Sequence, residues 1–267
     1  MAALFDSHAH VNDAAFNDDR AAVIARCKDS GMLVTNVGDD YPTSAGAVDL
    51  AVANDFCWAT VGLHPIQIFD ETYDAQRYQG LIDTSQGRVR AVGECGLDYW
   101  HIKHPEIPFE ELKQRQRVVF EQQIDLALAN DLAVMIHGRN GKTDETAYQT
   151  IYEIIRRKGV SRATVHCFGG TLAEARAFVA QGLYIGITGI VTFDKTGRLQ
   201  EIVKELPLES LLIETDAPYL TPVPHRGERN EPVYVLFVAE AIASIKGISL
   251  DTVIEQTTEN ARRLFKI

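Results

Sequence analysis

The sequence predicts one domain, spanning residues 1–267, folded as a TIM-like (β/α)8 barrel of parallel strands with helices around it. Three observations predict it. Eight short β-branched or apolar runs, centred near Phe5, Val34, Val61, Val92, Met135, Val165, Ile185 and Ile213, are separated by longer segments of helical character. Such alternation fits a closed parallel barrel better than an open doubly wound sheet. The runs holding Val34, Val61, Val134 and Leu211 are continuously apolar, as strands covered on both faces must be. Histidines and acids collect where the runs end, and in a parallel barrel those ends meet at one mouth.

In chain order, Leu4-Phe5-Asp6-Ser7-His8-Ala9-His10 reads as the first strand, and Ala59-Thr60-Val61-Gly62-Leu63, followed by His64, as the third. Residues 65–88 are the least defined part, because Pro65, Asp70 and the polar stretch beyond them blur the third helix. Ala91-Val92-Gly93-Glu94-Cys95-Gly96 holds the fourth strand. Glu110 to Asn130 is the clearest helix, with Val118, Val119, Ile124, Leu126, Ala127 and Leu128 contributing to an apolar face. Ala133-Val134-Met135-Ile136-His137 is the fifth strand. From about Asp144 to Lys158, Ile151, Ile154 and Ile155 are spaced for one helical stripe. Ala163-Thr164-Val165-His166 is the sixth strand. Thr171 to Gln181 reads as a helix with a Thr N-cap, Glu174 at the capping-box position and Gly182 past its end. Leu211-Leu212-Ile213-Glu214-Thr215-Asp216 is the last strand, followed by helices over about Glu231–Lys246 and Ser249–Phe265, split by Gly247. No repeat, low-complexity segment or linker rich in Pro, Gly or Ser marks a second domain.

A chain of 267 residues that is 46% hydrophobic can bury about three quarters of its unfolded surface. The formal charge of −11 leaves no basic footprint for nucleic acid. Bound divalent cations would supply positive charge of their own, so that class is weakened without being excluded. Cys27, Cys57, Cys95 and Cys167 are widely separated with no CxxC spacing, which reads as buried free thiols in a reducing compartment. No basic n-region leads into an apolar h-region, and no apolar run reaches about 18 residues. We therefore expect a cytoplasmic protein with no membrane segment and no obligate protein partner.

His8 and His10, two apart on an extended segment, point to one face, where two imidazoles can bind one cation. HxH alone is a weak signal. Asp6 lies on the same face, placed either to orient an imidazole or to cap a turn. Glu94 is harder to explain away, because an unpaired carboxylate in an apolar run is costly to bury. Bridging two cations would satisfy both its oxygens; the alternative is a salt bridge to a neighbouring arginine such as Arg139. His137 and His166 each end an apolar run. Either alone reads as a core or loop histidine, and their shared placement makes both ligand candidates. Asp216 ends the last strand, where a carboxylate can hold a metal and take a proton from bound water acidified toward a pKa of about 7. Glu214, deeper on that face, reads as a supporting residue.

Six segments carry a resemblance: Asp6-Ser7-His8-Ala9-His10, Val61-Gly62-Leu63-His64-Pro65, Val92-Gly93-Glu94-Cys95-Gly96-Leu97-Asp98-Tyr99, Ile136-His137-Gly138-Arg139, His166-Cys167-Phe168-Gly169-Gly170 and Glu214-Thr215-Asp216-Ala217-Pro218-Tyr219-Leu220. The last continues through Pro222 and Pro224 to Pro232. In this order they resemble the TatD-type metal-dependent deoxyribonucleases, a branch of the amidohydrolase superfamily built on a TIM-like barrel. The resemblance implies two divalent cations, one held by His8, His10, Glu94 and Asp216, the other by Glu94, His137 and His166. Glu94 would stand where many amidohydrolases carry a carboxylated lysine. Asp216, Glu94 and His64 would be catalytic, with His64 near the scissile phosphate. Arg139 and Arg226 or Arg229 would face substrate phosphate, which suits the planar fork of a guanidinium. Prolines between Ala217 and Pro232 would partly preorganise the last two; alternatively they pair with Glu228 and Glu231. The segment Trp100–Pro108 is longer than the family's usual turn, and its His101 and His104 read as exposed loop histidines.

The expected function is a divalent-metal-dependent hydrolase: a deoxyribonuclease acting 3′ to 5′ on single-stranded DNA through a metal-activated water. Mg²⁺ is the favoured ion, and the nitrogen ligands leave Zn²⁺ or Mn²⁺ as alternatives. The rivals are hydrolysis of an amide, ester or lactone by the same site, since one fold supports many chemistries, and a metal-binding protein without turnover.

Overall fold

The structure, a computed structural model, describes residues 3–103, 106–142 and 146–267. Eight parallel strands form one sheet in sequence order: β1 (Phe5–Ala9), β2 (Leu33–Asn36), β3 (Cys57–Val61), β4 (Val89–Asp98), β5 (Ala133–Arg139), β6 (Ala163–Val165), β7 (Tyr184–Ile187) and β8 (Leu211–Ile213). Between and after them lie α1 (Arg20–Asp29), α2 (Tyr41–Ala53), α3 (Ala75–Thr84), α4 (Phe109–Ala129), α5 (Ala147–Lys158), α6 (Leu172–Ala180), α7 (Arg198–Glu205), α8 (Val235–Lys246) and α9 (Leu250–Phe265). This is the barrel that the alternation of runs predicts. The capping box of Thr171 and Glu174 forms at the start of α6, and Gly247 ends α8 in the left-handed conformation. The blurred stretch after Pro65 becomes a 3-10 turn at Gln67–Phe69 and then α3, capped by Asp74, whose side chain accepts from the Gln76 amide. The expected start of the fifth helix at Asp144 lies outside the described residues.

The barrel closes where β1 meets the chain beyond β8. The Asp216 amide donates to His8 O (2.9 Å) and the His10 amide to Ala217 O (2.7 Å). Deeper in this seam the buried Asp6 carboxylate accepts from the Thr215 amide (2.9 Å) and hydroxyl (2.6 Å). Asp6 therefore orients no imidazole; its oxygens join the two ends of the sheet. At the other end of the barrel, Ala261, Leu264 and Phe265 of α9 pack against Phe5, Ala133, Met135 and Leu212, and close the floor.

Two strands carry an extra residue where ligand candidates sit. Asp6 and Ala9 face Val34 and Asn36, while Val92 and Cys95 face Val134 and Ile136. A bulge of this kind bends a strand and re-aims a side chain, and here the re-aimed residues include His8 and Glu94. The glycines beside Glu94 make the bulge in β4 possible. Gly93 and Gly96 have φ of 153° and 150°, and a Cβ on Gly93 would lie 2.5 Å from Met135 O, while one on Gly96 would overlap His137 O. Only a residue without a side chain lets β4 lie this close to β5. Cys27, Cys57 and Cys95 are buried, Cys167 is half-buried, and all four are free thiols. Among the described residues no single helix is long and apolar enough to cross a membrane.

Candidate metal centre at the barrel mouth

Glu94, 3% exposed, is the hub of the mouth, and its two oxygens face different histidines. Oε2 lies 3.3 Å from His8 Nε2 and 3.9 Å from His10 Nε2. Oε1 lies 2.7 Å from His137 Nδ1, 3.1 Å from His166 Nε2 and 3.5 Å from His64 Nε2. Asp216 Oδ1 is 3.4 Å from both His8 Nε2 and His10 Nε2, which are themselves 3.0 Å apart. The salt bridge to Arg139, the alternative for Glu94, does not form. Asp216 has φ of 58°, a left-handed conformation sparsely populated outside glycine, and the hydrogen bond its N–H donates to His8 O holds it there.

The hydrogen bonds on the far side of each ring decide which histidines can be ligands. His10 Nδ1 is 3.2 Å from Val37 O, and His137 Nε2 is 3.1 Å from Asp98 Oδ2. Neither acceptor carries a proton of its own, so each imidazole donates there and turns a lone pair inward. His8 Nδ1 faces Met135 Sδ at 2.9 Å with the same consequence, and His166 Nδ1 lies 3.3 Å from the Glu214 carboxylate without hydrogen-bond geometry. His64 is the reverse. Its Nδ1 accepts from the Ile66 amide at 3.2 Å, so the neutral ring carries its proton on Nε2 and is a donor toward the site. Four histidines thus face the mouth as candidate metal ligands, three of them with a hydrogen-bonded outer partner that fixes the tautomer, and His64 does not join them.

Lone pairs facing acceptors at these distances need something positive between them. His8 Nε2, His10 Nε2 and Asp216 Oδ1 form a triangle whose centre is about 1.9 Å from each atom, close to the roughly 2.0–2.2 Å of metal–imidazole and metal–carboxylate bonds. The donor set fits a divalent cation on each side of Glu94. In the protein alone, protons take that part. Burial opposes a charged ring, yet Asp39, Asp216 and Glu94 raise His10 to about 10, and Asp98 and Glu94 raise His137 to about 9. Burial would also push the Glu94 carboxyl up, but His166, His137 and His64 hold it well below the usual carboxylate range. His8, fully buried and stacked on His166 at 3.8 Å, is lowered by that burial and by its charged neighbour.

The TatD related DNase family model matches residues 5–266, and the metal-dependent hydrolase YabD of Bacillus subtilis is 38% identical over 267 residues, with 99% of each chain covered. The chain belongs to the TatD-related DNase family. At that level it is a metal-dependent hydrolase. The 3′-5′ ssDNA/RNA exonuclease TatD of Erwinia tasmaniensis is 33% identical over 99% of this chain and 100% of its own. YjjV, a TatD homologue from Escherichia coli, superposes with a TM-score of 0.86 at 26% identity, covering 99% of this chain and 98% of its own. An organophosphorus hydrolase variant from Deinococcus radiodurans, at a TM-score of 0.65 and 13% identity over 99% of this chain and 93% of its own, shares the fold alone.

In this TatD-family chain the six ligand candidates and His64 converge at the mouth, beneath a cleft of about 740 Å³ that Arg139 also lines. Arg226 and Arg229 do not reach it. Arg226 donates to Thr221 O (2.8 Å) and lies over the Phe193 ring. Arg229 binds both oxygens of Asp19 (2.8 and 2.7 Å) and lies 3.3 Å from Glu231. The two arginines expected to face phosphate are thus held by local acceptors away from the cleft. Arg198, at the start of α7, lines the cleft instead.

Two further acids, Asp98 and Asp39, belong to the site although the sequence pattern assigns them no role. Asp98 ends β4 and accepts from His137 Nε2, from His101 Nδ1 (2.8 Å) and from the amides of Trp100 and His101. It carries the same strand-end signal as Asp216. His101 is accordingly tied to Asp98 rather than free in its loop, while His104 lies outside the described residues. Asp39 lies 3.5 Å from His10 Nδ1. Glu214 supports the site as expected, accepting from the Cys167 amide at 2.5 Å, in space that a side chain on Gly186 would fill.

Proposed function

We propose that the protein is a phosphodiesterase with two divalent cations, Mg²⁺ in use, that removes nucleotides from the 3′ end of single-stranded DNA in the cytoplasm, and that residues 1–267 form this one catalytic unit. The observation that carries the reading is the division of Glu94's oxygens between His8 and the His137–His166 pair, which suits a ligand shared by two cations. When bound, such a pair supplies Lewis acidity and an acidified water. Asp216, whose carboxyl is held low by its histidine neighbours despite burial, accepts the water's proton on a carboxylate oxygen. His64 Nε2–H donates to a non-bridging phosphate oxygen and stabilises the charge that develops there. Arg139 and Arg198, exposed on the cleft, receive the neighbouring phosphates. The relative named a 3′-5′ ssDNA/RNA exonuclease supports the substrate class.

The test is digestion of end-labelled single-stranded DNA with Mg²⁺, Mn²⁺ and Zn²⁺ supplied separately. A ladder shortening from the 3′ end is expected with Mg²⁺. Intact DNA with every metal, beside cleavage of esters or lactones, would replace this reading by that of a non-nucleic-acid hydrolase.

A further inference from the structure

The cleft above the metal centre holds two aromatic rings left in water. Trp100 is 43% exposed and Tyr219 54%, and both line the cleft that also holds Glu94 and His137. Trp100 follows β4 and Tyr219 follows β8, strands that stand on opposite sides of a ring of eight in sequence order. The two rings therefore occupy opposite rims, with the metal centre between them.

Their positions are set by the site itself. The Trp100 amide donates to Asp98 Oδ1 at 2.9 Å, and the same carboxylate holds His137. The Tyr219 amide donates to Asp216 O at 2.8 Å, and its ring stands edge-on to His10 at 6.4 Å. Lys142 Nζ lies over one face of the Trp100 ring, 5.2 Å from its centroid, which leaves the other face for a ligand, and Arg139 and Arg198 line the same cleft. A ligand suited to this layout offers flat apolar faces and negative charge, spaced along a chain that crosses the mouth.

We propose that Trp100 and Tyr219 are nucleobase platforms, each stacking on an unpaired base of a single strand whose phosphodiester lies at the metal centre. The proposal rests on the phosphodiesterase reading and names how its substrate is held. Only an unpaired, splayed base frees a face for stacking, so the platforms select single strands. They are indifferent to sequence, because every base has such a face. Stacking also adds affinity that does not depend on charge, in a chain whose net charge is −11.

The test uses the Mg²⁺-loaded protein and a hydrolysis-resistant phosphorothioate oligothymidylate. Binding should quench tryptophan emission through Trp100, since the other tryptophan, Trp58, packs against Phe5 near the barrel floor, and Trp100→Phe should lose the quench while keeping most of the affinity. Trp100→Ala and Tyr219→Ala should each weaken binding at least about fivefold, the lower end for base–aromatic stacking. Removing single bases along the strand should find a position whose loss weakens the wild type similarly and costs Trp100→Ala nothing more. Unchanged affinity in both alanine variants, equal affinity of the wild type for a fully abasic strand, or no binding at all would overturn the platforms. A wild type that binds in this way yet cleaves no DNA would refute the nuclease reading and leave the platforms standing. One that cleaves while its alanine variants bind unchanged would do the opposite.

Discussion

Loading the metal centre should expel protons, and their number follows from the geometry. His137 Nδ1 is 2.7 Å from Glu94 Oε1, and His10 Nε2 is 3.4 Å from Asp216 Oδ1; without a cation, a proton joins each pair. With His137 raised to about 9 and His10 to about 10, and His166, against its burial, held well above its ordinary value by Glu94 and Glu214, three rings are charged at neutral pH and must lose a proton to become ligands. We predict the release of about three protons per chain when Mg²⁺ or Mn²⁺ is added near pH 7. At about 1.4 kcal/mol per pKa unit, the competition costs roughly 4 kcal/mol at His10 and 3 kcal/mol at His137 at that pH. Metal affinity should therefore rise by up to about a thousandfold per pH unit until the lowest of the three pKa values is reached. Calorimetric titration in buffers of different ionisation enthalpy counts the protons. No proton release near pH 7, or an affinity that does not change with pH, would refute the assignment of these rings as ligands. The metal-free protein carries the converse dependence. The raised pKa values stabilise its fold fully below about pH 6.5, and this contribution is lost as pH rises through 9 to 10.

Glu94→Gln should lower metal stoichiometry more than loss of any one histidine, because the amide lacks the charge that screens two cations from each other; unchanged metal counts would exclude the bridge. Asp216→Asn should reduce DNA hydrolysis by about 10²–10⁴-fold, the usual range for a lost general base, and near-normal turnover would remove Asp216 from that role. Asp98→Asn should weaken metal binding by about 10–100-fold, as loss of a carboxylate behind a ligating imidazole does, measured by equilibrium dialysis against Mn²⁺. Arg139→Ala should raise KM for DNA and flatten its salt dependence, whereas Arg229→Ala should cost at most about 1 kcal/mol of stability, given the partly exposed pair it makes with Asp19. A KM effect from Arg229→Ala as large as that from Arg139→Ala would restore the loop arginines to the phosphate site.

Much of the barrel could be read from the chain because its signals are local. A buried parallel strand must be apolar along its whole length, and a helix must repeat its apolar positions every third or fourth residue, so the alternation of runs betrays the architecture. The boundaries around residues 65–88 were not legible, since a 3-10 turn and the Asp74 cap leave no periodic trace. The site candidates were legible for a related reason: polar residues at the ends of apolar strands have few bland explanations in a parallel barrel. What each residue does there depends on partners far along the chain. His64 and His137 look alike in sequence, but an amide behind the first makes it a donor and a carboxylate behind the second turns its lone pair toward Glu94. Asp6 is drawn to Thr215 across the closing seam, and Arg229 to Asp19, contacts spanning 209 and 210 residues. The sequence by itself determined the barrel and the chemical types gathered at its mouth. Only the tertiary structure decided which lone pairs point inward, because a tautomer and an ion pair are set by whatever group the fold places opposite.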